Sequence, residues 1–348
     1  MKLKRMKVAV LNGSRRMGLL SVVGRTPWRT RRLLVLAYHG ISQRDEHLWN
    51  PALYMSQDAF RRRLELLSRN RCSVLPLGEA VSRLQSNDLP PRAVALTFDD
   101  GCYDFFTRAY PVIKDWGFPV TVYQTSYYSA FNRPVFDVAC SYILWMAAGR
   151  RAPGLDLRSD EKRTATLTRL LRTAYHDGMS ADEKDALLDT LAASLQVDVG
   201  PMRANRTLHL MKPEELRQLI RDGVDVQLHT HRHRMPAQHD DFVREIADNR
   251  AFLRALGQLA TEHFCYPDGK HGDRYLPWLA EMGVRTATTC VSGLATSTSP
   301  KLLLPRIVDS SSLSDVEFEG WLHGVSQVLP RRREVSKSLP SDLGAWGS

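Results

Sequence analysis

At 348 residues the chain has room for one large α/β domain or two smaller ones. Hydrophobic residues at 43% and charged residues at 25% are ordinary for a soluble globular protein. Five scattered cysteines with no CxxC pair argue against a disulfide framework and against a structural zinc cluster, and fit a reducing compartment. The net charge of +10 is uneven: residues 1–32 carry ten Lys and Arg and no acid. The apolar runs within that arm are too short for a membrane span, and no small-x-small cleavage site follows them. The arm therefore reads as a disordered cationic tail or as a peripheral contact with an anionic membrane. No nucleic-acid module accompanies the charge, so a nucleic-acid partner is not expected. The expected location is cytoplasmic, or peripheral to the inner membrane face.

Leu33 to Tyr38 is a short apolar run ending on His39 and Gly40, the pattern of a buried strand with a histidine at its carboxyl end. Residues 56–69 carry Phe60, Leu64 and Leu67 at helical spacing behind Ser56 as N-cap. Cys72 to Leu75 reads as a strand, and Leu77 to Leu84 as a helix. Ala93 to Phe98 is a strand that runs straight into Asp99, Asp100 and Gly101. Tyr103 to Trp116 has helical spacing, and Val120 to Tyr123 is the next strand. This alternation is the signature of parallel βα units. Residues 137–206 break the rhythm as a helical insertion.

Further strands are expected at 224–229, 263–267, 284–289 and 302–307, separated by helices at 212–220, 242–256 and 276–282, with a closing helix over 316–328. Residues 329–348 read as a disordered tail. Seven or eight strands feeding helices imply a βα barrel spanning 33–328, in which reactive groups collect at the carboxyl ends of the strands. His39, Asp99, Asp100, His229 and Tyr266 all fall there.

Asp-Asp-Gly alone is equally a polar turn. His229-Thr230-His231-Arg232-His233 changes the balance. If the chain turns helically after its strand, His229 and His233 lie on one face, about 5–6 Å apart at Cβ. Two imidazoles plus a carboxylate from another strand make a three-ligand metal site with an open position. His231 is out of phase and faces away.

Thr97-Phe98-Asp99-Asp100-Gly101 with His229-Thr230-x-x-His233 resembles the first two motifs of the polysaccharide deacetylase family, the NodB-homology or carbohydrate esterase family four group. Phe264 to Gly269 resembles the third motif. The resemblance implies a distorted (β/α)7-8 barrel and removal of N-acetyl groups from amino sugars with one divalent metal, zinc above all, with cobalt or nickel as substitutes. It implies Asp100, His229 and His233 as metal ligands and Asp99 as general base. The C-terminal region lacks the family's apolar strand ending in histidine. Val35 to His39 resembles that strand moved to the N-terminus, as in the exopolysaccharide-associated branch, which makes His39 the expected general acid.

Cys265 stands where the family's third motif often places an arginine beside the base, and Arg306 is the substitute partner for Asp99. Tyr266 and Arg306 are the expected substrate-side residues, and a backbone amide near Tyr103 is an implied oxyanion donor. Trp49, Tyr54, Tyr127 and Tyr128 are candidates for sugar stacking. The expected partner is an N-acetylated glycan: a polysaccharide, oligosaccharide or glycolipid. Two other readings stay open, an amidohydrolase for a non-sugar amide and a glycan-binding protein whose catalysis has decayed. Glycoside hydrolysis fits poorly, since it needs two carboxylates on separate elements.

Overall fold

The structure, a computed structural model, describes residues 2–152 and 154–329. The expected tail from 330 onward lies outside the described residues. Eight strands lie in one parallel sheet: β1 (Leu34–Tyr38), β2 (Ser73–Val74), β3 (Ala93–Phe98), β4 (Thr121–Gln124), β5 (Asp225–Leu228), β6 (His263–Cys265), β7 (Thr286–Ser292) and β8 (Leu304–Val308). Seven of them close a ring in the order β1-β8-β7-β6-β5-β4-β3, with β3 pairing back to β1. The closure register runs from Leu34 opposite Val94 to Tyr38 opposite Phe98. The two-residue β2 pairs only with β3 and stays outside the ring, so the barrel has seven strands.

Side-chain alternation along the strands separates two layers. Leu34, Leu36 and Tyr38 of β1 and Val94, Leu96 and Phe98 of β3 join Phe60, Leu64 and Leu67 in the large core under the surrounding helices. The opposite face, with Val35, Ala93, Ala95, Tyr123, Cys265 and Leu304, forms a smaller cluster. Parity therefore turns Thr97 and Asp99 to that second face, among Cys265 and Arg306.

Three helices open the chain: α1 (Lys2–Arg16), α2 (Leu19–Val23) and α3 (Pro27–Thr30). Around the barrel follow α4 (Gln57–Arg69), capped by Ser56 Oγ accepting from the Ala59 amide, then α5 (Leu77–Gln85) and α6 (Tyr110–Trp116). The insertion is α7 (Phe136–Met146), α8 (Asp160–His176) and α9 (Ala181–Ser194), ending in a short turn at Gly200–Ala204. It buries its own core of Ile143, Leu171, Leu188 and Leu191, into which Tyr54 packs. The barrel resumes with α10 (Pro213–Arg221), α11 (His239–Ala255), α12 (Tyr275–Glu281), α13 (Asp315–Leu322) and α14 (Val325–Val328).

The amino-terminal arm departs from the expectation of a disordered tail. Leu11 and Leu20 are buried with Val316 in a cluster of their own. Arg29 is wholly buried, donating to the carbonyls of Leu322, Arg32 and Ala93. The carbonyl of Leu322 ends α13, so this guanidinium caps a helix terminus whose carbonyls would otherwise lack partners. No helix among the described residues is long and apolar enough to cross a membrane.

Candidate metal centre and catalytic site

The strand-end residues named from sequence, His39, Asp99, Asp100, His229 and Tyr266, sit at one end of the barrel, but Tyr266 is part of the core there. The turn after β3 does the first part of the gathering. Asp100 has φ 70° and Gly101 φ 78°, so the chain reverses at once into the left-handed region. Without that turn, adjacent residues of a strand would point to opposite faces. A side chain at Gly101 would also strike Gln124, its Cβ meeting the amide oxygen at 1.9 Å.

After β5 the chain does not form the expected helical turn. Thr230 (φ 62°) and His233 (φ 55°) are both left-handed, a costly conformation for a β-branched residue. The irregular loop still brings His229 and His233 together, ring centroids 4.9 Å apart. His229 Nε2 lies 3.1 Å and His233 Nε2 3.2 Å from the same atom, Asp100 Oδ1. Ligand atoms of these three residues all fall within 4.8 Å of one another. His231 faces away, its Nδ1 2.9 Å from Ser126 Oγ.

The donor set fits a cation. His229 Nδ1 is 2.9 Å from the Cys265 carbonyl, which only accepts, so Nδ1 carries the hydrogen. In the neutral ring Nε2 is then a lone pair facing a carboxylate oxygen. Two acceptors at that distance call for a proton or a metal ion between them, and a second-nitrogen bond to a carbonyl is how ligating histidines are oriented. Burial opposes ionisation of Asp100, but the hydrogen bonds from His229 and His233 hold its carboxyl well below the usual range. The same carboxylate raises His233 against the effect of burial.

Asp99 sits beside this cluster in a different environment. Both its oxygens accept from Arg306, Nη1 to Oδ1 and Nη2 to Oδ2, each at 2.7 Å. Arg306 also donates to the Thr289 carbonyl and to Thr97 Oγ1. Burial pushes the Asp99 carboxyl up, and the guanidinium more than offsets it, leaving the group below its ordinary value. His39 Nε2 is 3.7 Å from Asp99 Oδ2, and His39 Nδ1 has no hydrogen-bond partner among the described residues.

Arg306 has no accessible surface, so it serves Asp99 and does not reach a substrate. Tyr266 is buried as well, with its hydroxyl donating to the Leu302 carbonyl. Its ring packs on Phe264 and belongs to the core, not to a glycan surface. The Tyr103 amide donates to the His209 carbonyl at 2.8 Å and is spent within its own loop. Of the stacking candidates, Tyr54 is core, Trp49 packs on Tyr54 and Tyr142, and Tyr127 stands edge-on to Tyr128 and His231.

Three buried polar residues absent from the sequence reading hold the site. Asn249 accepts from the His229 amide and donates to the Gln124 carbonyl and Ser126 Oγ, tying β4 to β5. Glu245, one turn earlier on α11, accepts from the Arg232 amide and from the Arg232 and Arg234 guanidiniums. Asp104 accepts from the Ile41 amide and steadies the segment after His39. The signal for the first two was present: they interrupt the apolar stripe of Phe242, Ile246 and Leu253.

A family profile described as polysaccharide deacetylase matches residues 164–287, a span that includes His229 and His233. Over that segment the chain is similar to polysaccharide deacetylases. It is 28% identical over 316 residues to the poly-β-1,6-N-acetyl-D-glucosamine N-deacetylase of Escherichia coli K12, covering 90% of this chain and 42% of that protein. The chain thus spans less than half the length of the curated relatives it matches. Its fold is that of the Streptococcus pyogenes deacetylase PplD solved with acetate (TM-score 0.56, 18% identity, covering 86% of this chain and 99% of that one). It is also that of IcaB from Ammonifex degensii (TM-score 0.53, 17% identity, covering 84% and 97%). Polysaccharide deacetylases generally depend on a divalent metal, and Asp100, His229 and His233 form a group whose ligand atoms could hold one.

Proposed function

We propose that the chain is a metal-dependent hydrolase removing N-acetyl groups from the amino sugars of a polysaccharide, oligosaccharide or glycolipid. The observation that carries this reading is the meeting of Asp100 Oδ1, His229 Nε2 and His233 Nε2 beside the Asp99–Arg306 pair. Two imidazoles and a carboxylate suit zinc, with cobalt or nickel as substitutes. When bound, the cation supplies Lewis-acid polarisation of the amide carbonyl and lowers the pKa of water from 15.7 toward ~7.

The chain's own residues then have distinct tasks. Asp100, His229 and His233 hold the cation, with His229 oriented by the Cys265 carbonyl. Asp99, kept ionised by Arg306, takes a proton from the water that attacks the carbonyl carbon. As the C–N bond breaks, His39 delivers a proton to the departing amine, giving acetate and a free amino sugar. The basic arm suits work at an anionic membrane face on a nascent or lipid-linked saccharide.

Metal analysis of the purified chain, followed by acetate release from N-acetylglucosamine oligomers, tests the reading. Chelation abolishes release and added zinc restores it. Full activity after thorough chelation, or in His229→Ala, rejects it. Activity of His39→Ala within a few-fold of the parent rejects that residue as the acid.

A further inference from the structure

The arm is fastened on one side and bare on the other. Facing inward, Leu11 is buried against Gly320, where any Cβ would meet it at 2.8 Å. Arg15 Nε pairs with Glu319 at 3.0 Å, and Lys7 lies over the Trp321 ring. Facing outward, Met6, Val10, Met17, Leu19 and Val22 are between 46% and 69% exposed. Arg5, Arg16 and Arg25 are exposed on the same segment. Five of the large exposed apolar side chains thus crowd into seventeen residues that hold cations and no acid. A solvated tail has no reason to carry the apolar set. An anionic bilayer surface accepts both, with apolar groups at the headgroup boundary and cations at the phosphates.

The arm is tied to the barrel by hydrogen bonds. Arg29 joins α3 to the carbonyl of Ala93, the first residue of β3, at the end of the strand away from Asp99. Leu33 and Ala295 exchange both backbone hydrogen bonds at that same end. We infer that α1 and α2 lie on an anionic lipid surface and hold the barrel with its catalytic end turned away from the bilayer. The glycan then reaches Asp100, His229 and His233 from the aqueous side, a consequence that rests on the deacetylase reading.

Co-sedimentation with vesicles tests the contact without any assay of activity. The full chain binds vesicles of equal parts phosphatidylglycerol and phosphatidylcholine, and binding falls with salt. The double variant Val10→Glu, Val22→Glu keeps its thermal midpoint and binds those vesicles at least about tenfold more weakly. Equal binding to pure phosphatidylcholine, undiminished binding by the variant, or no binding overturns the inference. So does a concentration-dependent dimer that the variant abolishes, which assigns the bare face to a second copy. For orientation, a fluorophore on Val22→Cys is quenched by brominated lipid and one on Phe131→Cys, in the loop beyond β4, is not. The reverse pattern overturns the orientation. An inactive but vesicle-bound protein counts against the deacetylase reading alone.

Discussion

Asp99 and Arg306 are buried together, and each sets the state of the other. Burial alone would push the carboxyl up and the guanidinium down; their contact reverses both. Cys265, standing where a family arginine is common, is small enough for Arg306 to enter from β8, its Nη2 3.1 Å from the thiol sulfur. Removing one partner strands the other, so Arg306→Met costs about 3–5 kcal/mol in denaturant unfolding. The double variant Arg306→Met, Asp99→Asn regains most of that loss, and a double variant no more stable than the single would refute the coupling. On the proposed mechanism the two adjacent acids have separate tasks. Asp99→Asn retains zinc in calorimetric titration but loses about 10²–10⁴-fold in acetate release. Asp100→Asn loses the zinc itself. The gathering of Asp100, His229 and His233 was legible because a strand-end acid pair and two histidines at ligand spacing occur in one chain, whereas the separate roles of the two acids came from the family resemblance. What could not be read was that neither Arg306 nor Tyr266 touches solvent, since burial is decided by which strands become neighbours.

At the scale of elements, α11 shows a second limit of reading by pattern. A helix with Phe242, Ile246 and Leu253 on one side is assigned to the core, and Glu245 and Asn249 pass as interruptions. In the fold they hold the loop that carries both histidines. That loop was expected to be helical from the i, i+4 spacing, yet two left-handed residues bring the same pair together. Spacing foretold the contact and not the backbone. Asn249→Ala leaves the His229 amide without its acceptor and lowers zinc affinity about 10–100-fold, with unchanged far-UV dichroism. The insertion carries its own titration. Burial raises Asp137 on α7 to about 6, against the hydrogen bond from Tyr175 and the nearby Lys184. Folded Asp137 therefore keeps its proton to higher pH than the unfolded chain, where release occurs near ~3.9. The stability it contributes is complete below about pH 4 and is lost as pH rises through about 6. Asp137→Asn should leave the midpoint at pH 4 nearly unchanged and raise stability at pH 8 by about 1–3 kcal/mol. An equal effect at both pH values would show that the carboxyl titrates normally.

For the whole molecule, buried parallel strands announced themselves as apolar runs, and their number was right to within one. Ring closure was not local information: β1 pairs with β3 and leaves the two-residue β2 outside, a choice made by the barrel. The arm was misread for a related reason. Its charge is that of a solvated tail, and the side chains it buries most deeply, Leu11, Leu20 and Arg29, are too few to mark a periodic face. Those three residues make opposite predictions for two truncations. Removing residues 2–18 deletes the burial of Leu11, worth about 1.5–3 kcal/mol, and a half-exposed ion pair of little value. The shortened chain keeps a cooperative thermal transition and its zinc affinity. Removing residues 2–32 also takes Arg29 away from the carbonyls of Leu322 and Ala93, so that both lose this donor. Each such group costs about 1–3 kcal/mol, and the loss adds to that of Leu20. The longer truncation therefore loses its cooperative transition or most of its soluble yield. Calorimetry of the two side by side decides the matter: equal midpoints would show that Arg29 is not part of the barrel's closure.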